Sequence, residues 1–189
     1  MDQRLQLIVY GDFNCPFSAL ASTRVSHLEG RGIAEVDWRA VEHAPDIPPG
    51  GRPVIGDLAD ELRRELDQIR TLLEPGEADQ LALPAKQANT RLATGAYASA
   101  SDGARRALRE RLFAAYWIHG EDLTDPGSLE RLGAIGGDGR TAPQWHDEWL
   151  ALPQPIVPVM VMPDGYVSRG LGAIARLAQL SAHPGLAAD

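Results

Sequence analysis

Cysteine is nearly absent from this chain: of 189 residues only Cys15 carries a thiol. A disulfide within the chain is therefore impossible, which excludes a disulfide-stapled secreted scaffold. Long apolar runs are missing as well, and no stretch approaches membrane-spanning length. The start, MDQRLQLIVYGDF, is charged. Its stretch without a polar side chain, Leu7 to Gly11, is shorter than the apolar run a signal peptide needs. That pattern does not make a secretory signal, and with the lone thiol it leads to a cytoplasmic expectation. Basic runs are missing too. The formal net charge of −8 repels phosphate backbones, so no nucleic-acid partner is expected. Zinc-type spacing is absent: His27, His43, His119, His146 and His183 lie far apart, and no metal is expected. A Cys–His nucleophile pair stays open, although local sequence proposes no partner for Cys15. No internal repeat or low-complexity segment is visible.

What remains is an ordinary globular composition, 44% apolar and 23% charged, in a chain long enough for one domain with an insertion. Leu5 to Tyr10 (LQLIVY) reads as a buried strand. Gly11-Asp12-Phe13-Asn14 breaks it, and Pro16 suits a first helical turn, whose N–H groups are free anyway. Leu20, Val25 and Leu28 share a rough helical face, so Cys15 to Glu29 is predicted helical, ended by Gly30 or Gly32. Ile33 to Val41 suits a second strand, parallel to the first. His43 to Pro53 is a Pro- and Gly-rich loop.

From Asp57 the pattern turns helical. Leu58, Leu62, Leu66, Ile69 and Leu73 recur every three to four residues, with Asp57 and Asp60 as the expected cap. Pro75-Gly76 ends this helix. Further helices are predicted over Lys86–Ser99, over Asp102–His119 with Asp102 as cap, after Thr124-Asp125-Pro126, and over Thr141–Leu150. Trp117, Trp145 and Trp149 are expected to pack this block. Strand chemistry returns at Ile156–Met162. Pro163-Asp164-Gly165 has a hairpin's composition, and Tyr166-Val167-Ser168 starts its partner. Gly170 to Leu180 is a final helix, and the last eight residues read as a frayed tail. The order is βαβ, helices, then ββα: an α/β chain on the thioredoxin plan. The expected domains are a thioredoxin-like one formed by residues 1–53 and 154–189, and an inserted helical subdomain over 54–153.

Cys15-Pro16-Phe17-Ser18 is the chemical centre of this reading. It directly follows a strand and opens a helix. A thiol placed there faces free backbone N–H groups and the positive helix end, and both favour the nucleophilic thiolate. The plainer reading of a lone cysteine is a small core hydrophobe. Ser18 could donate to a thiolate one turn back, or satisfy a backbone donor as a first-turn serine. Asp12 would raise a nearby thiol pKa and is read as structural. Phe13 and Phe17 could rim a substrate or belong to the core. Asn89 could reach the site or make a helix-to-helix hydrogen bond. Free N–H groups at Ser168, Arg169 and Gly170 could hold a carboxylate, or simply form a strand-to-helix turn.

The segment Val9 to Ala21 (VYGDFNCPFSALA) resembles the active-site stretch of the DsbA-like thioredoxin-fold superfamily. That superfamily includes DsbA-type oxidoreductases, 2-hydroxychromene-2-carboxylate isomerases and kappa-class glutathione transferases. Asn89-Thr90, Leu112-Phe113, Tyr116-Trp117 and Glu121-Asp122-Leu123 resemble its helical insert. Val157-Pro158 resembles its cis-proline dipeptide, whose exposed backbone pairs with an extended substrate. The resemblance implies a thioredoxin fold with Cys15 and Ser18 as catalytic residues. It implies substrate contacts from Phe13, Pro16, Phe17, Asn89, Val157, Pro158 and Gly170. The chain departs from the dithiol members at Ser18, which replaces the resolving cysteine. It departs from the isomerases and transferases at Cys15, where they typically carry serine, and Val159 replaces a frequent threonine.

Three functional readings follow. The first is monothiol exchange: Cys15 forms a mixed disulfide with a disulfide-containing protein, and an external small thiol resolves it. It carries the expectation of a depressed Cys15 pKa. The second is a glutathione-dependent, or other small-thiol-dependent, isomerase or transferase, with the thiol as co-substrate rather than resident cofactor. The third is a non-catalytic binding module with Cys15 buried and inert. An exposed face of the insert could pair two copies as a homodimer.

Overall fold

A computed structural model describes residues 4–136 and 140–183. The expected C-terminal tail therefore lies outside the described residues beyond 183. Strand β1 (Leu5–Gly11) leads through a short turn into helix α1 (Pro16–Gly30), and β2 (Ala34–Ala40) follows. After the helical middle come β5 (Val159–Val161), β6 (Val167–Arg169) and α7 (Leu171–Ala182). One sheet orders these strands β2-β1-β5-β6. β1 and β2 run parallel from Leu5↔Ala34 to Gly11↔Ala40, and β5 lies antiparallel to both β1 and β6. This is the expected thioredoxin plan. β1 is central, which is why LQLIVY reads as a nearly continuous apolar run: Leu5, Leu7, Val9 and Tyr10 are all buried.

The middle of the chain holds α2 (Gly56–Leu72), α3 (Arg91–Ser99), α4 (Asp102–Trp117), α5 (Pro126–Arg131) and α6 (Thr141–Leu150). It also holds a short ribbon that the sequence reading omits: β3 (Arg52–Pro53) pairs antiparallel with β4 (Lys86–Gln87). The expected helix from Lys86 to Ser99 is therefore corrected. Lys86 and Gln87 are strand, and the helix begins only at Arg91. Two expected caps are corrected as well. The cap position of α2 is Ile55 and that of α4 is Ser101, neither with a side-chain hydrogen bond. Asp102 pairs instead with Arg105. Asp125 does cap α5, accepting from the Gly127 and Ser128 N–H groups. No helix among the described residues is long and apolar enough to cross a membrane.

The buried stripe of α2 explains its leucine spacing. Leu66 joins the main core, Ile69 packs with Leu20 and Ile174, and Ala59 and Leu62 pack with Val54. α1 packs against α7, α4 and α2, while α3 and α6 cover β2. Trp117, Trp145 and Trp149 are buried as expected. The buried Arg24 of α1 ties three elements together. Its guanidinium bonds both carboxylate oxygens of Glu77, the Leu72 carbonyl at the end of α2 and the Ile174 carbonyl in α7.

Two predictions follow from this packing. Gly11 tolerates no side chain, because a Cβ there would sit 2.3 Å from the Trp38 indole and 3.2 Å from Ser18 Oγ. Gly11→Val should cost more than about 3 kcal/mol in urea unfolding, the upper range for overpacking. At Glu77, burial alone would push the carboxyl up, but hydrogen bonds from Arg24 and the Glu74 N–H outweigh it and hold the carboxyl below its ordinary value. The stabilisation this gives is complete above the unfolded glutamate pKa of about 4.3 and disappears as pH falls through the lower folded value. Glu77→Gln should flatten that acid limb, and an unchanged limb would contradict the assignment.

Candidate active site

The site is built where β1 ends. Gly11 gives way to a tight turn in which the Cys15 N–H donates to the Asp12 carbonyl at 3.1 Å. Cys15 itself is the extended N-cap residue of α1, and Pro16 occupies the first helical position, where its missing N–H costs nothing. The Ala19 N–H then closes the first helical bond onto the Cys15 carbonyl at 3.1 Å. Ser18 lies one turn into α1, fully buried, and its Oγ accepts the Asp12 N–H at 3.2 Å. The plainer reading of Ser18 thus holds, with a donor from the preceding turn rather than from the helix. The same hydroxyl lowers the thiol pKa, against the larger effect of burial.

The other wall is the loop before β5. The Val157–Pro158 peptide bond is cis. The Val157 carbonyl oxygen lies 4.0 Å from Cys15 Sγ, the outer reach of a thiol hydrogen bond. The Gly170 N–H donates to the Pro158 carbonyl at 2.8 Å, so it braces this loop and is not free to hold a carboxylate. The neighbouring Ile156 is half exposed, and its carbonyl is held by Trp149 Nε1 at 3.1 Å. Phe17 is half-buried against Leu20, Ile69 and Ile174, whereas Pro16 is buried.

Two expected site residues are placed elsewhere. Phe13 is fully buried, with its ring 5.0 Å from Phe113 and 5.7 Å from Tyr97, so it is core rather than substrate rim. Its carbonyl accepts from Trp117 Nε1 at 2.9 Å. Asn89 donates to the Ile47 carbonyl at 2.7 Å and accepts from the Arg91 N–H at 3.1 Å, so its amide is spent in local loops.

Beneath the turn sits a group that the sequence reading left as merely structural. The Asp12 carboxylate is fully buried. One oxygen accepts from Thr90 Oγ1 at 2.6 Å and from the Asn14 N–H at 3.3 Å. The other accepts from the backbone N–H of His43 and pairs with its Nδ1, both at 2.8 Å. His43 had no assigned partner in the sequence. Burial pulls its imidazolium down, but the hydrogen bond and charge of Asp12, with the charges of Glu65 and Asp46, outweigh this and hold its pKa above the ordinary value. Asn14 Nδ2 also reaches the Ala88 carbonyl at 2.8 Å, so the turn is bound to the segment before α3.

Cys15 is 6% exposed. Burial pushes its thiol up to about 12, and the Asp12 charge adds to the rise. The Ser18 hydroxyl and N–H and the Phe17 N–H pull the other way without overcoming it. The expected depression of the Cys15 pKa is therefore corrected. The helix terminus is present as read, but desolvation of the thiolate dominates.

Ser18 gives a direct test. Ser18→Ala leaves the buried Asp12 N–H unpaired and removes a donor to the thiolate. We expect a loss of about 1–3 kcal/mol in chemical denaturation and slower Cys15 alkylation at fixed pH. Unchanged alkylation would remove Ser18 from the thiolate's surroundings.

The comparisons agree with this fold. A family model described as "DSBA-like thioredoxin domain" matches residues 6–140. Among solved structures, a probable DsbA oxidoreductase from Streptomyces coelicolor superposes with TM-score 0.75 at 16% identity, covering 96% of this chain and 90% of that one. A 2-hydroxychromene-2-carboxylate isomerase superposes with TM-score 0.65 at 23% identity, covering 96% and 95%. The cytosolic disulfide reductase DsbM from Pseudomonas aeruginosa, solved with GSH, gives TM-score 0.56 at 16% identity over 96% and 98%. No curated protein matches.

Proposed function

Because the chain belongs to the DSBA-like thioredoxin domain family, we propose that it is a monothiol exchange enzyme of the DsbA type, working in the cytoplasm on disulfide-containing proteins. One observation carries this reading. The only thiol of the chain sits at the head of α1, against the Val157 carbonyl of the cis-proline loop, and a buried serine hydroxyl stands where a dithiol site would carry its second thiol. Cys15 thiolate attacks a substrate disulfide RS–SR′. A Cys15–SR bond forms, the S–S bond breaks, and R′S⁻ leaves and takes up a proton. A small thiolate such as that of glutathione then attacks the substrate sulfur. The product is a mixed disulfide of substrate and small thiol, and Cys15 is released as thiolate. Bonds and electrons balance with no further oxidant. Ser18 and the first N–H groups of α1 hold the transient thiolate, and the Val157 backbone aligns the incoming chain.

The high resting pKa gives this chemistry a particular form. At neutral pH Cys15 is a protonated thiol, so exchange is slow and gains speed with alkalinity. The same observation favours a second reading, a small-thiol-dependent isomerase or transferase. There the α1 terminus and Ser18 would hold the thiolate of a bound glutathione, and Cys15 would not itself react. The neighbour solved with GSH supports looking for that ligand.

The deciding measurement is Cys15 alkylation by iodoacetamide across pH, with and without millimolar glutathione, alongside exchange activity of two variants. Under the exchange reading, the alkylation rate keeps rising with pH, about tenfold per unit wherever no neighbouring group titrates. Cys15→Ala and Cys15→Ser then both abolish mixed-disulfide formation. Saturable protection by reduced glutathione, with activity surviving in Cys15→Ser, would instead establish the second reading. An unreactive thiol without glutathione binding would leave a non-catalytic module.

A further inference from the structure

The Asp12–His43 pair plays no part in the exchange chemistry, yet its placement is specific. A carboxylate without exposure is costly unless it is paired and hydrogen-bonded. Asp12 receives two neutral donors on one oxygen and two donors from His43 on the other. Its backbone meanwhile brackets the nucleophile: its carbonyl holds the Cys15 N–H, and its N–H holds Ser18 Oγ. Its charge is also felt at Cys15. His43 bonds the carboxylate oxygen that Thr90 and Asn14 do not, with its side chain 34% exposed to solvent. It can therefore gain and lose a proton while the carboxylate it contacts cannot reach water. The charged groups facing His43 are Asp12 on the turn after β1, Glu65 on α2 and Asp46 on its own loop. Glu65 in turn faces Glu61. No cation among these competes with the imidazolium for Asp12.

We infer that His43 is a positioning residue for Cys15 acting through Asp12: its imidazolium compensates the buried carboxylate behind the thiol, so the protonation of His43 sets how readily Cys15 reacts. The inference rests on the reading of Cys15 as the reactive group of the site. When His43 is protonated, the pair is neutral overall and the thiolate meets little opposing charge. When His43 loses its proton, the negative charge of Asp12 stands uncompensated in a low-dielectric setting, and the thiolate is disfavoured. Glu65 and Asp46 favour the charged state of His43, which extends the reactive setting above the ordinary imidazole range. The neutral imidazole still donates to Asp12 through one nitrogen, so the turn keeps its shape and only the charge changes.

The test is the pH profile of iodoacetamide alkylation on the full chain, with His43 titration followed by NMR. Wild-type log rate against pH should show two limbs of unit slope, offset by a downward step that coincides with the His43 titration. A step of roughly three- to tenfold is expected for a partly screened charge. His43→Gln keeps a donor for Asp12 but no charge. It should remove the step and place the whole profile on the lower limb. Asp12→Asn should remove the step and raise the rate, and His43→Gln should then add no further change in that background. A merely structural role for His43 would lower the melting temperature of His43→Gln and leave the step in place, which overturns the inference. If Asp12→Asn does not fold, the His43→Gln profile decides alone. A thiol that alkylates in none of the variants also overturns it. Absence of disulfide exchange in a wild type that shows the step would sink the exchange reading and leave this inference standing.

Discussion

Everything at the business end of this molecule is arranged around one buried negative charge. Burying the Asp12 carboxylate without partners would cost several kcal/mol or more, so its ligands are obligatory. They come from three separate parts of the chain: the turn itself through the Asn14 N–H, the loop after β2 through His43, and the segment before α3 through Thr90. The helical middle is thus no appendage to the thioredoxin sheet. It supplies a hydroxyl to the central carboxylate, the Ala88 carbonyl to Asn14 and the Trp117 indole N–H to Phe13. Tyr116 fixes that segment in turn, since its hydroxyl accepts from the Ala88 N–H and donates to the Lys86 carbonyl.

The thiol sits between two opposed effects of unequal size. A helix N-terminus stabilises a charge by about 0.3–2 kcal/mol, which is at most about one and a half pKa units. Full burial can shift a group by about 3–5 units the other way. At 6% exposure Cys15 is governed by burial. A protonated thiol and a mixed disulfide are both neutral, and both are content in this setting. The thiolate alone pays for desolvation. A thiol of high pKa is also a poor leaving group, so a mixed disulfide formed on Cys15 under the proposed exchange would persist until a second thiol attacks it. A two-cysteine site avoids that delay with an internal partner, and Ser18 cannot serve as one.

Much of this was legible in the sequence. The β1 and α1 boundaries and the position of Cys15 follow from apolar runs and turn residues acting over a few positions, whereas the Val157–Pro158 loop comes from the family resemblance, since the apolar run alone reads as strand from Ile156 and β5 begins only at Val159. What was not legible depended on tertiary partners. Lys86 to Thr90 reads as the start of an alanine-rich helix. It is drawn instead into pairing with Arg52 and Pro53 and then bent inward to serve Asp12 and Asn14. Phe13, two residues before Cys15, reads as equally suited to rim or core, and only the rings of Tyr97 and Phe113 decide the matter. The thiol pKa was misjudged because a helix terminus is visible in sequence and burial is not.

His43 carried a signal that strand order alone could have revealed. β1 and β2 are parallel, with Gly11 opposite Ala40, and the Val41 N–H continues the ladder onto the Gly11 carbonyl at 3.0 Å. The residues just past these two strand ends therefore emerge side by side, which brings Asp12 to His43. β5 enters antiparallel with Val159 opposite Tyr10, so the residues just before β5, Val157 and Pro158, arrive at the same edge. Thirty-one residues of sequence separate Asp12 from His43, and Cys15 to Val157 is a separation of 142. Both gaps close because of strand direction and not because of any local motif. The carboxyl ends of parallel strands gather functional groups for this reason. An acidic residue buried at one such end calls for hydrogen-bond donors from the next, and His43 supplies two of them.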